Sequence, residues 1–273
     1  MKVMIKTELE RAFKSWGLWI SLLIGTGISV AQFVTRVIPA AIEPLRLYMP
    51  DNATVMPISA FQMWIGNGTS FEYALFIRIV PILAAMPYAV TYLSDIKTGI
   101  IKNYVTRTSK FNYLFAKYIA VFVSGGVAVV FPLLINYIAS ISVLPSLVWP
   151  IGVFAPSPAH MWSAIYFTHP HIYMIMYMLL LFVCGGLMAT AALIVSNIVN
   201  NRFVAILAPY ILSEFANAIL RMSKVRWVKG VAPTRLFNMS QMSTGVSYIV
   251  YIAVLLALGI AVYFIGGLKH ETY

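Results

Sequence analysis

Repeated apolar runs are the feature that most limits how this chain can fold. Several stretches longer than 18 residues are almost free of charge, and an α-helix needs about 20 apolar residues to cross a bilayer. Charged residues make up only 10% of the 273-residue chain, whereas a soluble domain has about 25%. A β-barrel would instead show short alternating segments. We therefore predict an all-α polytopic membrane protein.

The apolar runs predict six transmembrane helices in a single transmembrane domain, residues 1–273. The predicted spans are about 17–38, 73–93, 113–142, 172–196, 203–220 and 246–268. Pro81 and Pro87 each remove a backbone donor from the second span and favour a kink there. Gly185, Gly186 and Ala189 give the fourth span a small-residue face that suits close helix packing.

Residues 2–16 predict an amphipathic helix ahead of the first span. Its apolar face contains Ile5, Leu9, Ala12, Phe13 and Trp16, and its polar face contains Lys6, Glu10, Arg11 and Lys14. A helix of this kind lies in the plane of the lipid headgroups. We interpret Leu9, Phe13 and Trp16 as the residues that anchor it there.

The polar segment at residues 94–112, between the second and third spans, is a candidate docking site for a soluble partner. Ile96, Ile100 and Tyr104 recur at helical spacing, so we predict a short surface helix over about 95–105 that Ser94 or Asp95 caps. Ser109 is placed to cap the next helix. The basic and glycine positions of the segment are Lys97, Gly99, Lys102, Arg107 and Lys110. The alternative interpretation is a basic loop that only sets topology.

A second basic segment follows the fifth predicted span. It contains Arg221, Lys224, Arg226, Lys229 and Arg235. The two interpretations are contact with headgroup phosphates and attraction of an acidic cargo or lipid. The net charge of +11 is spread over loops and helix ends, which suits headgroups and an acidic partner and does not indicate nucleic-acid binding.

No pattern in the chain predicts catalysis or a metal site. Neither a His-Glu-x-x-His nor a Gly-x-Ser-x-Gly motif occurs, and proline between His169 and His171 breaks the spacing that helical ligands need. Cys184 is the single cysteine and is interpreted as a small packing residue. Trp64, in the long loop after the first span, is interpreted as an anchor at the membrane interface.

The order of these parts resembles the membrane subunit of a type-2 ABC exporter, the permease family with six spans per subunit. Three features carry the resemblance: the amphipathic helix before the first span, a pattern between spans two and three, and a broken region that ends in Val231-Ala232-Pro233. The pattern consists of Asp95, Gly99, Tyr104, Arg107, Lys110, Tyr113 and Lys117.

The resemblance implies that the first helix and residues 94–112 contact an ATPase subunit, and that short re-entrant helices lie between spans five and six. It also implies that both termini are cytoplasmic, in a multi-pass protein of the bacterial cell membrane. That orientation places eleven of the 19 Lys and Arg residues inside: Lys2, Lys6, Arg11, Lys14, Lys97, Lys102, Arg107, Lys110, Lys117, Arg202 and Lys269.

A phosphate-binding Gly-x-x-x-x-Gly-Lys-Ser/Thr loop is missing from the sequence. We therefore expect a transport subunit that is not an enzyme, with Mg-ATP bound by separate ATPase chains and with a second permease copy or a sister permease beside it. The nearly uncharged spans favour an amphipathic or hydrophobic cargo, and the resemblance implies that this cargo is exported and is a toxin or antimicrobial peptide. A drug or lipid exporter of the same family is the alternative. An ion-coupled carrier is less favoured, because Glu214 is the only acid within a predicted span.

Overall fold

A computed structural model describes residues 1–47, 58–67, 70–106, 108–148, 156, 161–239 and 243–269. Every regular element in this part of the chain is helical. The α-helices are α1 (Lys2–Phe13), α2 (Trp16–Gln32), α3 (Ile38–Leu47), α4 (Ala60–Met63), α5 (Phe71–Ala85), α6 (Thr91–Lys97), α7 (Ile100–Val105), α8 (Lys110–Val143), α9 (Ser163–Thr168), α10 (Pro170–Ser196), α11 (Arg202–Met222), α12 (Arg226–Gly230), α13 (Pro233–Leu236), α14 (Gly245–Leu258) and α15 (Gly266–Lys269). Stretches of π-helix join α2 to α3 (Phe33–Val37) and α14 to α15 (Gly259–Ile265).

Five helical stretches are long enough and apolar enough to cross a membrane. They are Trp16–Ile42, Lys110–Val143, Pro170–Ser196, Arg202–Met222 and Gly245–Leu268. Their positions agree with five of the six predicted spans, and they confirm a helical, membrane-embedded protein. The first stretch ends four residues later than predicted because the helix continues through the π-helical segment into α3.

The second predicted span, about 73–93, is not one continuous helix. Helix α5 continues past Pro81 but ends at Ala85, a run of turns covers residues 86–90, and α6 begins at Thr91. The break falls at Pro87, which has no backbone N–H to continue the helical ladder. With 15 residues, α5 is about 22 Å long, which is shorter than a hydrocarbon core of about 30 Å. A total of six spans therefore stays a prediction.

The helices bring two groups of connecting segments to opposite ends of the bundle. At one end, which we call the α1 end, Lys97 Nζ donates to the carbonyl of Asn200 at 2.8 Å, and Lys110 Nζ donates to the carbonyl of Leu268 at 3.3 Å. At the other end, the α4 end, the amide of Ala60 donates to the carbonyl of Pro145 at 3.0 Å. The N-terminal helix, residues 94–106 and the last helix thus share one end.

Glycines let α8 and α10 pack backbone against backbone. A Cβ atom added at Gly186 would lie 2.6 Å from the carbonyl oxygen of Phe122, and one added at Gly185 would lie 2.9 Å from Val129 Cγ2. Gly125 on α8 has the same relation to α10, since its Cβ would collide with Ala189. The predicted small-residue face of the fourth span is therefore confirmed, and it interlocks with the two glycines of the third.

Trp64 is part of the core, so its interpretation as an interface anchor is wrong. Its side chain is fully buried, and its indole Nε1 donates to the carbonyl of Leu133 on α8 at 3.0 Å. The Asn136 carboxamide fixes the same segment, accepting from the amide of Ile65 at 2.9 Å and donating to Gln32 Oε1 at 2.8 Å. A buried indole needs such a partner for its N–H, and α8 supplies it.

Candidate functional site: a buried charge cluster

Four ionisable side chains from three helices meet at the α1 end. Helix α1 contributes Glu8 and Arg11, α6 contributes Asp95, and α8 contributes Lys117. Glu8 and Lys117 are 0% exposed and Asp95 is 1% exposed. Residues of these types are almost never fully buried unless they are paired, so their burial indicates an organised cluster.

Asp95 is the centre of the cluster. Its Oδ2 accepts from Lys117 Nζ at 2.6 Å and from the hydroxyl of Tyr113 at 2.8 Å, and its Oδ1 accepts from Arg11 Nη2 at 2.8 Å. These donors come from α1 and α8, whereas Asp95 lies on α6. One carboxylate therefore ties the N-terminal helix and the long third span to a short helix at the end of the bundle.

Glu8 closes the cluster from the other side. Its Oε1 accepts from Arg11 Nη1 at 2.7 Å, and its Oε2 lies 3.1 Å from Lys117 Nζ and accepts from the hydroxyl of Tyr88 at 2.8 Å. The Tyr88 ring also lies beneath Lys117, with 4.3 Å between Nζ and the ring centroid. Two positive and two negative charges thus balance in a site whose polar atoms are satisfied.

The electrostatics of the cluster favour the charged forms of Asp95 and Arg11. Burial alone would raise the pKa of Asp95, but the charges and hydrogen bonds of Lys117 and Arg11 outweigh burial and hold that pKa below its usual value. Burial alone would lower the pKa of Arg11, but Asp95 and Glu8 outweigh burial and raise it. The ion pair between Arg11 and Asp95 is therefore charged at neutral pH.

The sequence of α1 explains why this helix packs here. Met4, Glu8 and Ala12 are its buried residues, and their spacing of four places them in one strip that faces the bundle. Residues 2–16 do not form one helix as predicted, since α1 ends at Phe13 and Ser15 caps α2. The hydroxyl of Ser15 also donates to the carbonyl of Pro87 at 2.7 Å, which fixes the junction between the two helices.

The residues that the sequence predicts as headgroup anchors lie mainly on the outer side of the junction between α1 and α2. Trp16 is 82% exposed and Phe13 is 42% exposed, while Leu9 is half-buried. These exposures agree with contact to lipid, although the membrane-interface role stays a prediction. Arg11, which was assigned to the solvated polar face, instead turns into the charge cluster, because Asp95 and Glu8 lie within reach of its guanidinium.

The predicted surface helix over 95–105 is divided in two. Gly99 adopts a left-handed conformation with φ of 70°, which glycine adopts without steric cost, and this residue separates α6 from α7. Neither Ser94 nor Asp95 caps the helix, because α6 begins four residues earlier than Asp95, at Thr91. The prediction that Ser109 caps α8 is confirmed, since its side chain accepts from the amide of Asn112.

The break at Gly99 also divides the apolar face that the sequence predicts for the helix over 95–105. Ile96 is 45% exposed and Ile100 is 36% exposed, whereas Tyr104 is half-buried and stacks on Tyr113 with ring centroids 5.5 Å apart. Lys102 is exposed. Arg107 lies outside the described residues. The two isoleucines therefore form the exposed apolar surface of α6 and α7, whereas Tyr104 packs against α8.

Sequence reasoning missed Glu8, Tyr88 and the burial of Lys117. In the sequence Lys117 is only a member of the family pattern and one of the cytoplasmic cations, but its ammonium lies between two carboxylates and is fully buried. The four-residue spacing of Met4, Glu8 and Ala12 is a signal that could have revealed a buried acid on α1. The prediction of nearly uncharged spans therefore needs correction at the start of α8, where Lys117 is paired.

The basic segment after the fifth predicted span folds onto the α4 end. Helices α12 and α13 carry three of its five cations, Arg226, Lys229 and Arg235, while Arg221 lies in α11 and Lys224 between α11 and α12. Arg221, Lys224 and Arg226 are exposed, and Lys229 and Arg235 are half-buried. A re-entrant course for these short helices stays a prediction.

No group of three or more potential metal ligands occurs within the described residues. His171 Nδ1 lies 2.6 Å from the hydroxyl of Tyr137, and that contact accounts for its position.

Comparisons with models of known protein families, with curated proteins and with solved structures each returned no match. The geometry of the site must therefore support any functional assignment.

Proposed function

We propose that this chain is the permease subunit of a type-2 ABC exporter that moves an amphipathic or hydrophobic substrate out of the cell. A toxin or antimicrobial peptide is the favoured cargo, and a drug or lipid is the alternative. The observation that carries the proposal is the buried charge cluster, which connects an exposed pair of short helices to a long membrane-spanning helix. A device of this kind suits a subunit that is moved by a partner.

Two adjacent residues on α6 link the exposed surface to the buried charge cluster. Ile96 is 45% exposed, while its neighbour Asp95 is 1% exposed and contacts Lys117 of α8 at 2.6 Å. A partner that binds Ile96 and Ile100 thus displaces α6, and Asp95 passes the displacement to α8. Burial of one such isoleucine against the partner contributes about 1.5–3 kcal/mol.

The proposed partner is an ATPase subunit that binds Mg-ATP, because the chain has no phosphate-binding loop of its own. In this proposal the α1 end faces the cytoplasm, Lys97 and Lys102 orient the ATPase through weak charge contacts, and two permeases form the complete transporter. Arg107, outside the described residues, is assigned to the same contact by resemblance alone.

The experiment that tests this function is Ile100→Asp in the full chain, with Ile198→Asp as the matched control. Ile198 is 72% exposed and lies beside Asn200 at the same end, so it receives the same new charge outside α1 and residues 94–112. We expect Ile100→Asp to insert normally but to lose ATPase co-purification or substrate-stimulated ATP hydrolysis, while Ile198→Asp keeps both. Equal co-purification and stimulation for the two variants would refute docking at α6 and α7.

The charge cluster also favours a second candidate, an ion-coupled carrier that works alone. Lys117 lies within a candidate span and contacts two buried carboxylates, and carriers use buried ionisable groups of this type. Proteoliposomes that contain only this chain distinguish the candidates. Proton flux that depends on Asp95 and needs no ATPase would favour the carrier, whereas transport only after addition of the ATPase and ATP would favour the exporter.

A further inference from the structure

Two opposite charges lie in the apolar part of the bundle without an ion pair. Arg78 lies midway along α5 and is exposed, and Glu214 lies in the candidate span α11 and is half-buried. Among the described residues, neither of them forms a salt bridge. An ionised side chain inside a membrane is costly and usually has a partner or a functional role, so both charges need an explanation.

Arg78 and Glu214 lie at a similar depth. Helices α5 and α11 pack against each other and run in opposite directions. Helix α13 packs on the end of α11, and Asn238, just after α13, donates to the hydroxyl of Tyr73 near the start of α5. Arg78 lies seven residues from the start of α5, and Glu214 lies eight residues from the end of α11. Each charge is therefore about 10–12 Å from the α4 end.

Both charges border the seam between α5 and α11. Glu72 of α5 accepts from Thr35 Oγ1 at 2.9 Å, so its side of α5 faces the first span. Arg78 lies about 240° around the helix from Glu72, on the flank beside α11. Leu212 of α11 lines an apolar groove that α10 and α14 share. Glu214 lies about 200° around the helix from Leu212, on the flank beside α5.

The residues around the two charges suit contact with other helices. The neighbours one turn away on the two helices are exposed, and they are Ala74, Leu75, Ile211 and Ala218. Alanines let helices approach closely within a membrane, and Leu75 and Ile211 are 39% and 61% exposed. Apolar neighbours of this kind exclude water from a central charged pair in an interface.

A second copy of the chain offers complementary charges at this depth. Copies of one membrane protein share one orientation, so a two-fold axis between them is parallel to the membrane normal, and residues meet others of their own depth. An axis in front of the seam places α5 of each copy opposite α11 of the other. Because Arg78 and Glu214 share a depth, each Arg78 meets the Glu214 of the other copy. Acyl chains of lipids carry no charge and cannot pair with either residue.

We propose that the seam between α5 and α11 binds a second copy of this chain through reciprocal ion pairs between Arg78 and Glu214. The inference rests on the proposed function in one respect, since it assigns the second permease of the transporter to an identical chain. Its test needs neither an ATPase nor a cargo, so failure of the contact and failure of the export function are distinguishable.

The test mixes two charge-reversed variants of the full chain in liposomes. Copies that carry donor or acceptor fluorophores report the dimer fraction by energy transfer. Arg78→Glu alone brings two acids together at each contact, and Glu214→Arg alone brings two bases together, so each variant should lower the dimer fraction by more than about tenfold. In the mixture every acid again meets a base, and the dimer fraction should return to the wild-type value.

Arg202→Glu is the matched control. Arg202 is exposed on the same helix, about 18 Å from Glu214 along the helix axis, and its reversal should leave the dimer fraction unchanged. The double variant Arg78→Glu/Glu214→Arg in one chain should also form dimers with itself. Thermal unfolding shows which variants are folded.

Disulfide cross-linking keeps the proposal testable if a reversed charge prevents folding. One tagged copy carries Arg78→Cys and a differently tagged copy carries Glu214→Cys; the native Cys184 is buried. Oxidation in the membrane should link the two tags. The pair Arg202→Cys with Glu214→Cys should give no link between the copies.

Three outcomes would overturn the proposal. A mixture that stays monomeric, while the double variant forms dimers, would assign the ion pair to a single chain. Unchanged dimer fractions in both single variants would place the interface on another face. A wild-type chain that is monomeric in liposomes and gives no cross-link would leave the seam to lipid or cargo.

Discussion

Asp95→Asn is the most informative single change for the charge cluster. Asparagine keeps the size of the side chain and can still accept hydrogen bonds, but it removes the negative charge. Lys117 would keep Glu8 at 3.1 Å and the Tyr88 ring at 4.3 Å, whereas the site as a whole would gain one uncompensated positive charge. The substitution therefore isolates the contribution of charge to the junction of α1, α6 and α8.

The expected cost follows from the contacts. Asp95 is 1% exposed, and removal of one partner from a buried ion pair destabilises a protein by about 3–5 kcal/mol. Arg11 keeps 32% of its side chain exposed, so water screens part of the lost interaction. The remaining Glu8 contact also reduces the penalty. We therefore expect a loss of about 3 kcal/mol, the lower end of that range.

The measurement is unfolding of the purified chain in detergent, with Lys6→Met as the control. The ion pair between Lys6 and Glu10 spans 3.9 Å on an exposed surface, and pairs of this kind contribute about 0–1 kcal/mol. A double-mutant cycle of Asp95→Asn with Lys117→Met should show a large coupling energy. A loss no greater than that of Lys6→Met, with no coupling, would refute the view that these charges hold the three helices together.

Two further predictions test the same end of the bundle and the core. Because the pKa of Asp95 is lowered on folding, its contribution to stability is present above the unfolded value of about 3.9 and is lost as pH falls through the lower folded value. Unfolding measured from pH 7 to about pH 1.5 should show this acid loss in the wild type and much less of it in Asp95→Asn. Gly186→Ala should destabilise by about 1–3 kcal/mol, because its Cβ would lie 2.6 Å from a backbone oxygen. Gly27→Ala, where a Cβ meets nothing within 4 Å, should have little effect, and equal effects at Gly186 and Gly27 would contradict close packing of α8 on α10.

The long helices could be predicted from sequence because their length and apolarity are local properties. The cap at Ser109 and the small-residue face of α10 are local in the same sense. The break in the second span could be predicted only in part, because Pro87 predicts a kink but does not reveal that α5 ends before it. Gly99 raises a similar difficulty, since a single glycine within an apolar period does not specify a left-handed conformation.

The charge cluster could not be predicted because its members are distant in sequence. Asp95 and Arg11 are 84 positions apart, and Asp95 and Lys117 are 22 positions apart. Each residue alone has an ordinary explanation as part of a polar face or as a side chain that extends to the headgroups. Only the packing of α1 on α8 shows that the three share one buried volume. Trp64 was misread for the same reason, since its partner on α8 is 69 positions away.

The length of α8 gives the cluster a mechanical consequence. The helix has 34 residues and extends about 51 Å, and Lys117 lies only two turns from its start. A tilt of about 5° imposed there would move the far end by about 4 Å on a rod of this length. Because α8 and α10 pack closely at their glycines, the two helices would move together, so a small displacement at the α1 end would become a larger one at the α4 end.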